Sequence, residues 1–348
     1  MKRHTRILIA AATAATTMAA VGFAAAAASA GTPRAGAALP AHVFAPYFET
    51  YDTSGDLAAL SKASGAKYLS LAFLQTAQAG SCTAYWNGDT SEPIAQSSFG
   101  SDISTIQAAG GNVVPSFGGY SADSTGTDIA DSCTNVSAIA QVYESVITIY
   151  NVPRIDLDIE SNSLTDTAGI NRRNEAVAQT EAWAAAHGRK IQFSYTMPST
   201  TTGMTSSEEA VIQNAIADGA TVGVVNLMTF DYYIGTKQQM GADTKSAATD
   251  GHSQLQALYP GKTSAQLWHM IGITEMPGID DFGADETFTK ANAVKVLDWA
   301  KHKGISTLSF WALQRDNGGC PGTKGAGTCS GIKQPTWYFS HTFEPFTR

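Results

Sequence analysis

Asn151-Val-Pro-Arg-Ile-Asp-Leu-Asp-Ile-Glu-Ser161 is the stretch of the chain that decides its fold. Asp156, Asp158 and Glu160 alternate there with aliphatic residues, and side chains two apart in a strand lie on the same face. A strand here would therefore gather three carboxylates on one face. Like charges this close repel, and burying an ionised carboxylate without a partner is costly. The pattern indicates an active site, with a solvent-facing acidic edge strand as the alternative.

Helical patterns flank this strand, over Val136–Tyr150 before it and over Ile170–His187 after it. Strands that alternate with helices build parallel sheets whose faces those helices cover. The acidic strand is therefore predicted to lie inside the protein, where its carboxylates need a chemical reason to be together.

The same alternation continues along the whole chain. The candidate strands are Val43–Tyr47, Tyr68–Phe73, Asn112–Phe117, Ile155–Ile159, Ile191–Tyr195, Val222–Met228, Leu267–Ile271 and Thr307–Trp311. The candidate helices are Asp56–Ser64, Asp102–Ala109, Val136–Tyr150, Ile170–His187, Ser207–Asp218, Ser253–Leu258 and Phe288–Lys303. Eight such units predict an α/β fold that closes as a single-domain (β/α)8 TIM barrel. An open Rossmann-type sheet is the alternative, although no Gly-x-Gly-x-x-Gly turn follows the first strand.

Local signals mark the helix ends. Glycines follow five of the helix candidates, where a left-handed C-terminal cap is favoured: Gly65, Gly110, Gly188, Gly219 and Gly304. Thr205-Ser206-Ser207-Glu208 has the form of a capping box at the start of another helix.

The first thirty residues have the form of a cleaved signal peptide. Lys2, Arg3 and Arg6 precede an Ala-rich apolar stretch, and Ala28-Ser29-Ala30 fits a cleavage site. An uncleaved membrane anchor is the alternative, but Ala and Thr make the stretch only weakly hydrophobic. We expect residues 1–30 to be removed, residues 31–41 to form a short lead-in and residues 42–348 to form the catalytic barrel. The protein is predicted to be secreted and extracellular.

Charge excludes some partners. Removing residues 1–30 changes the formal net charge from −8 to −11. An acidic chain this poor in Lys and Arg is unsuited to nucleic acid or to anionic lipid, so neither nucleic acid nor, after cleavage, a membrane is expected as a partner. We expect a monomer.

The cysteines suit an oxidising compartment. Cys320 and Cys329 bracket a Gly-rich loop and are expected to pair locally, which leaves Cys82 with Cys133. Four cysteines allow three connectivities, so this pairing is a preference. A zinc site is the alternative, but the spacings do not match metal-binding hairpins and no His is close in sequence. No metal and no cofactor are expected.

Polar and aromatic residues gather where the predicted strands end, which is where barrel enzymes carry their catalytic groups. Crowded carboxylates raise at least one pKa, so Glu160 is expected to stay protonated near neutrality and to donate a proton. Asp158 is placed for a second role, and Asp156 is expected to share a proton with it. Tyr85, Trp86 and Tyr120 either stack on a ligand or pack within loops. His269 is predicted to be a core histidine on the seventh strand.

These residues resemble the glycoside hydrolase family 18 chitinases, whose fourth-strand signature is Asp-x-x-Asp-x-Asp-x-Glu. Asp156, Asp158 and Glu160 match its last three acids, Ser116-Phe117-Gly118-Gly119 matches the Ser-x-Gly-Gly of strand three, and Trp311 matches the tryptophan of strand eight. The likeness covers about residues 42–317. Three further stretches look most like the bacterial chitinase D-like branch: Ser194–Pro198, Met270–Asp281 and Phe310–Asp316.

The resemblance implies a retaining, substrate-assisted hydrolysis of β-1,4-linked N-acetylglucosamine. Glu160 would act as general acid and then general base, while Asp158 would orient the acetamido group of the substrate, whose oxygen attacks the anomeric carbon. Asp231 would lie within reach of Glu160 and tune its proton affinity. The resemblance also implies a set of residues around the sugar, with Tyr47 and Ser116 bonding the inner aspartates and Trp311 beneath the sugar: Tyr47, Ser116, Gly118, Gly119, Met228 and Trp311.

Two positions depart from the family pattern. Pro153 and Arg154 stand where the signature usually has Asp-Gly, which implies a changed entry into the strand. Phe230 stands where many members have a Tyr that bonds the acetamido oxygen, and Tyr232 is the expected substitute.

Three other functions compete with a chitinase. The same barrel could act on the chitobiose core of N-glycans as an endo-β-N-acetylglucosaminidase, or bind glycans as a lectin without catalysis. Such lectins usually lose the glutamate that this chain retains at Glu160. A metal-dependent phosphodiesterase would use the acids as Mg²⁺ ligands, but no strand-end His or basic phosphate clamp accompanies them.

Overall fold

A computed structural model of the protein describes residues 39–52 and 55–348, and these residues belong to one compact unit. The predicted signal peptide, residues 1–30, and most of the predicted lead-in lie outside the described residues. No helix in residues 39–52 and 55–348 is long and apolar enough to cross a membrane.

The strands carry the framework of the site. They are β1 (Val43–Phe44), β2 (Tyr47–Glu49), β3 (Tyr68–Thr76), β4 (Ala84–Trp86), β5 (Asn112–Gly118), β6 (Arg154–Asp158), β7 (Gln192–Pro198), β8 (Val222–Met228), β9 (Ile271–Glu275), β10 (Gly278–Ile279), β11 (Thr287–Phe288) and β12 (Thr307–Phe310). The main sheet has the parallel order β1-β12-β9-β8-β7-β6-β5-β3-β2. The short β4 adds to β3 in the antiparallel sense, and β10 pairs only with β11.

The sheet closes on itself because its first strand is divided. Val43 of β1 pairs with Thr307 of β12, whereas Tyr47 of β2 pairs with Ser70 of β3. Only Ala45 and Pro46 separate β1 from β2, so one short segment joins the last strand to the second. The eight-stranded TIM barrel predicted from the sequence is thereby confirmed.

Helices surround this barrel. They are α1 (Leu57–Ser64), α2 (Gly100–Ala108), α3 (Tyr120–Thr125), α4 (Ile129–Ser132), α5 (Val136–Tyr150), α6 (Thr167–Ala186), α7 (Ser206–Ala217), α8 (Met240–Leu258), α9 (Ser264–Trp268), α10 (Lys290–Lys303) and α11 (Tyr338–Phe343). Three 3₁₀ turns cover Ser161–Leu164, Leu313–Arg315 and Glu344–Phe346.

The local signals in the sequence are confirmed. Helix α5 has the predicted bounds, and the capping box of Thr205 and Glu208 starts α7. All five glycines expected at helix ends have positive φ. Both disulfides, Cys82–Cys133 and Cys320–Cys329, form as predicted.

The prediction for the seventh strand is wrong. Leu267–Ile271 was expected to be a strand, but Leu267 lies in α9 and the strand is β9, Ile271–Glu275. A capping box between Thr263 and Gln266 starts the helix, which buries Leu267 and Trp268 on one side. His269 consequently follows a helix and is exposed, so its prediction as a core histidine is wrong.

Strand β6 keeps the alternation seen in the sequence. Ile155, Leu157 and Ile159 are at most 1% exposed and belong to the main apolar core. Asp156 and Asp158 are 2% and 4% exposed and point to the opposite side, into the barrel. The protein therefore buries these two acids within its own framework.

The two disulfides are expected to differ in their contribution to stability. Cys82–Cys133 spans 51 residues and Cys320–Cys329 spans 9. By loop-closure entropy, replacing the first pair with alanine should lower the free energy of unfolding by about 4 kcal/mol and replacing the second by about 3 kcal/mol. Equilibrium urea unfolding under non-reducing conditions, with wild type as reference, measures both values. An equal or larger loss from the Cys320–Cys329 pair would contradict this order.

Candidate active site

The Asp156 carboxylate is held by four hydroxyl groups. Oδ2 accepts from Tyr47 Oη at 2.8 Å and from Ser116 Oγ at 2.7 Å. Oδ1 accepts from Ser194 Oγ at 2.5 Å and from Thr196 Oγ1 at 2.8 Å. These donors come from β2, β5 and β7, so Asp156 links the strands on both sides of β6 to the first strand across the barrel.

Asp158 lies one pleat nearer the open end of the barrel. Its Oδ1 atom is buried without a hydrogen-bond partner. Burial and then the neighbouring carboxylates, Glu160 first, raise the pKa of Asp158 well above its ordinary value. Among the described residues, no hydrogen bond joins it to Asp156, whose oxygens are already taken by the four hydroxyl groups. The predicted sharing of one proton by Asp156 and Asp158 is therefore not supported by a direct hydrogen bond between them in the described residues.

Glu160 follows β6 and lies at the open end of the barrel, partly buried. Burial raises its pKa to about 7, a hydrogen bond from the Tyr120 backbone lowers it, and the charge of Asp281 raises it. A carboxyl group with this pKa exists in both protonation states near neutral pH. It can therefore give a proton in one step and take one in the next.

A cavity of about 960 Å³ opens above these acids. Asp158, Glu160, Asp231 and Asp281 line it, and no Lys, Arg or His does so within the described residues. Met228 and the aromatic rings of Tyr47, Phe73 and Trp311 also belong to its lining. A cavity with apolar surfaces, carboxylates and no cation suits a neutral ligand with polar edges.

Trp311 forms part of an aromatic layer under this cavity. Its ring is stacked on Phe73, with centroids 5.5 Å apart and planes 11° apart, and Tyr47 lies 5.7 Å away. Gly119 makes room for Phe73, because a Cβ atom on Gly119 would lie 2.6 Å from the Phe73 ring. Gly119 itself does not line the cavity.

Gly118 lines the cavity and brings β5 against β6. Its φ is +94°, and a Cβ atom there would lie 2.2 Å from the carbonyl oxygen of Asp158. The glycine pair of the strand-three motif thus serves close packing, between backbones at Gly118 and against an aromatic ring at Gly119.

Asp231 belongs to a second group of acids beside the cavity. Burial, followed by the charges of Asp280 and Asp281, raises the pKa of Asp231 to about 8. One carboxylate oxygen each of Asp231, Asp280 and Glu286 lies within 4.8 Å of the others. All three groups accept backbone N–H hydrogen bonds, from Asp281, Gly283 and Tyr232 among others.

The acid whose charge raises the pKa of Glu160 is Asp281. Sequence reasoning gave this role to Asp231, which lines the same cavity, and did not single out Asp281. Asp281 is exposed on a loop after β10, where no periodic pattern distinguishes it.

Tyr232 does not line the cavity. Its hydroxyl is buried, lies near Ser199 and makes no hydrogen bond of good geometry. Phe230, Tyr233 and Ser199 do line the cavity, and Tyr233 is 59% exposed. The donor expected in place of a tyrosine at Phe230 is therefore set back from the cavity surface in this structure.

The other aromatic candidates differ in whether they line the cavity. Tyr120 lines the cavity and is 67% exposed. Trp86 is fully buried and donates its Nε1–H to Tyr150 Oη at 3.0 Å, so it packs within the protein. Tyr85 lies on β4 and is not part of the cavity lining.

Arg154, one of the two departures from the family pattern, lies at the start of β6 and is 4% exposed. It donates to Gln192 Oε1 at 2.8 Å and to Thr307 Oγ1 at 2.9 Å. The arginine thus joins three strands at the end of the barrel opposite the cavity, and the strand continues to the acids in its predicted register.

Sequence reasoning missed several residues around the acids. Thr196 accepts from Asn226 Nδ2 at 2.9 Å while it donates to Asp156. Asp123, on α3, accepts the backbone N–H of Glu160 at 2.5 Å. Position alone could have suggested Asn226, a polar residue inside a predicted strand, and Thr196, which directly follows one, whereas Asp123 lies in a short helix that was not predicted.

Comparison with known proteins identifies relatives, although no family model matches the chain. It is 33% identical over 330 residues to a probable bifunctional chitinase/lysozyme of Escherichia coli, which covers 91% of this chain and 36% of that protein. It is 32% identical to endochitinase 11 of Metarhizium anisopliae over 299 residues, 82% of this chain and 54% of that protein. The chain thus spans about a third to a half of the length of these two relatives.

The catalytic domain of a hyperthermophilic chitinase from Pyrococcus furiosus has a similar structure. The TM-score is 0.77 at 28% sequence identity, and the match covers 88% of this chain and 95% of that domain. Catalytic-site mutants of the same domain have been crystallised with chito-oligosaccharides. The barrel and the strand motifs agree with these relatives, and the chain is a homologue of chitinases.

Proposed function

We propose that the protein is a secreted chitinase that hydrolyses β-1,4-linked N-acetylglucosamine polymers or oligomers with retention of anomeric configuration. The observation that carries this proposal is Glu160, a carboxyl group at the cavity with a pKa of about 7, beside Asp158. The similarity to named chitinases supports the substrate class, as do the chito-oligosaccharides bound by the Pyrococcus furiosus domain.

The reaction proceeds in two steps on one carboxyl group. Protonated Glu160 gives its proton to the glycosidic oxygen, and the C–O bond breaks as the acetamido oxygen of the substrate attacks the anomeric carbon. The resulting oxazolinium ion is opened by water, whose proton returns to Glu160. The configuration is retained because the anomeric carbon is inverted twice, although no protein carboxylate bonds to it.

Asp158 is suited to hold the acetamido group during these steps. Its buried Oδ1 has no protein partner, so an N–H group of the substrate can supply one. A carboxylate next to the oxazolinium ion also stabilises the positive charge that develops there. Asp156 does not touch the substrate in this scheme; its four hydroxyl partners fix the strand on which Asp158 lies.

Trp311 and Met228 would provide the apolar surface beneath the sugar, with Tyr47 at its edge. The donor to the acetamido oxygen stays a prediction, since Tyr232 would have to move toward the cavity to fill that role. Asp231 is proposed to support the site by accepting the backbone N–H of Asp281, which holds that residue beside the cavity.

Secretion remains part of this proposal, with cleavage after residue 30 and a monomeric catalytic barrel over residues 42–348. An endo-β-N-acetylglucosaminidase or a lectin would use the same acids on related glycans. Membership of a chitinase D-like branch likewise stays a prediction.

Glu160→Gln is expected to abolish cleavage of chitotetraose while leaving binding intact. Loss of a general acid/base costs roughly 10²–10⁴ in rate. The initial product of the wild-type enzyme, followed by NMR in the first minutes, should be the β-anomer. Glu175→Gln, an exposed glutamate on α6, is the matched control and should keep full activity.

Other results would redirect the assignment. An α-anomer as first product would contradict retention. Binding without cleavage by the wild type would indicate a lectin, and release of glycans only from a glycoprotein would indicate the endo-β-N-acetylglucosaminidase.

The pH dependence of kcat/KM should report the Glu160 pKa. The general acid must carry its proton, so activity is expected to fall above about pH 7, by about tenfold per pH unit. Asp281→Asn removes a charge that raises this pKa, so it should move the alkaline limb to lower pH. Asp285→Asn, an exposed acid of the same loop outside the cavity lining, is the control and should not move it. An unmoved limb in Asp281→Asn would reject this origin of the shift.

A further inference from the structure

A buried group of charges lies near the end of the catalytic strand and does not line the cavity. Asp123, Asp128 and Asp131 surround Arg173, which is 1% exposed. Arg173 Nη2 lies 3.1 Å from Asp128 Oδ1 and 3.6 Å from Asp131 Oδ1. Three carboxyl groups therefore share one buried cation, and two of them form its ion pairs.

Asp123 is the member of this group without a contact to the arginine. It is fully buried on α3, directly after the two glycines of strand three, and it does not line the cavity. Its Oδ2 atom accepts the backbone N–H of Glu160 at 2.5 Å. This hydrogen bond ties the main chain of the proposed general acid to a different element of the fold.

The other oxygen of Asp123 lies beside Gly118, as does an oxygen of Asp128. Oδ1 is buried and unpartnered, and it lies 3.2 Å from the point that a Cβ atom would take on Gly118. Asp128 Oδ2 lies 3.2 Å from the same point. Asp128 is paired with Arg173, so an ionised Asp123 would add a buried charge without an ion pair of its own, which is costly.

The charges around Asp123 agree with a protonated group. Burial, and then the charge of Asp128, raise the pKa of Asp123 to about 9, although Arg173 and the hydrogen bond from Glu160 lower it. Asp131 adds a smaller upward shift. Asp123 in turn is among the carboxyl groups that raise the pKa of Asp158, so its protonation state matters to the catalytic pair.

The backbone beyond Glu160 turns sharply, so the hydrogen bond between Asp123 and the Glu160 N–H matters for the position of Glu160. Glu160 itself is extended, and Ser161 then turns the chain with a φ of +44° into the 3₁₀ turn. The exposed bonds between Ser124 and the Ser161–Asn162 pair hold this turn to α3 on its outer side. Inside, Asp123 accepts the Glu160 amide N–H, and the backbone of Tyr120, at the start of α3, bonds the Glu160 carboxyl group.

We propose that Asp123 is a positioning residue: as a neutral carboxylic acid it accepts the Glu160 backbone N–H and thereby fixes the main chain from which the Glu160 side chain projects. It touches neither substrate nor reacting atoms. Its effect on turnover rests on the proposed function, whereas its protonation state is independent of that function.

Two substitutions separate orientation from charge. The amide of Asp123→Asn keeps an acceptor for the Glu160 N–H and carries no charge, so it imitates the neutral acid. Its kcat should stay within roughly threefold of wild type, and the pH profile should be unchanged. Asp123→Ala removes the acceptor, and kcat should fall roughly 10–100-fold with KM nearly constant. Ser124→Ala, which loses only the outer hydroxyl bond, is the matched control and should keep full activity.

Thermal melts supply a test that needs no activity. The unfolded chain ionises Asp123 near its ordinary value of 3.8, whereas the folded protein keeps the proton up to about 9. Wild type should therefore lose stability relative to Asp123→Asn as the pH rises through this window. The difference in Tm should grow between pH 4 and 9 and then level off.

Three results would overturn the proposal: a loss of kcat in Asp123→Asn as large as in Asp123→Ala, full activity in Asp123→Ala, or a Tm difference that does not change with pH. A wild-type enzyme that leaves chito-oligosaccharides intact would refute the proposed function instead, and the melts would still decide whether Asp123 is neutral.

Discussion

The Asp156 carboxylate, with its four hydroxyl donors, is the interaction on which the rest of the site depends. Hydrogen bonds to a charged group contribute about 1.5–3 kcal/mol each, so four of them offset the cost of burying this carboxylate. They also fix β6 against β5, β7 and the first strand. Asp158 and Glu160 follow Asp156 at two-residue intervals. The hydrogen bonds to Asp156 therefore also fix the positions of both acids relative to the cavity.

Burial shifts the pKa values of charged groups at both ends of this strand. Toward its end, burial first and the charges of neighbouring carboxyl groups second raise the pKa values of Asp123, Asp158 and Glu160. At its start, Arg154 is buried against neutral partners, and burial lowers its pKa to about 10. Burial in the core thus favours the neutral form of these groups. The reactive groups are the acids that approach solvent.

Sequence patterns predicted the framework well and the surroundings of the site less well. The alternation around Asp156 identified the central strand, because period-two burial is a local property of the chain. The prediction of the seventh strand was wrong because the apolar residues Leu267 and Trp268 suggest a strand. The Thr263–Gln266 capping box starts a helix there instead. Asp123 and Asp281 lie in loops or short helices, and only the folded chain brings them to Glu160.

The divided first strand has a consequence for the order in which the molecule is assembled. Val43 finds its partner, Thr307, 264 residues later, so the seam cannot close before Thr307 has been synthesised. Tyr47, just beyond that seam, supplies one of the Asp156 hydroxyl partners. Contacts this distant in sequence are typical of slow folding. A nascent or partly folded chain would therefore lack a completed acid site. The site would be complete only after the first strand has paired with the last.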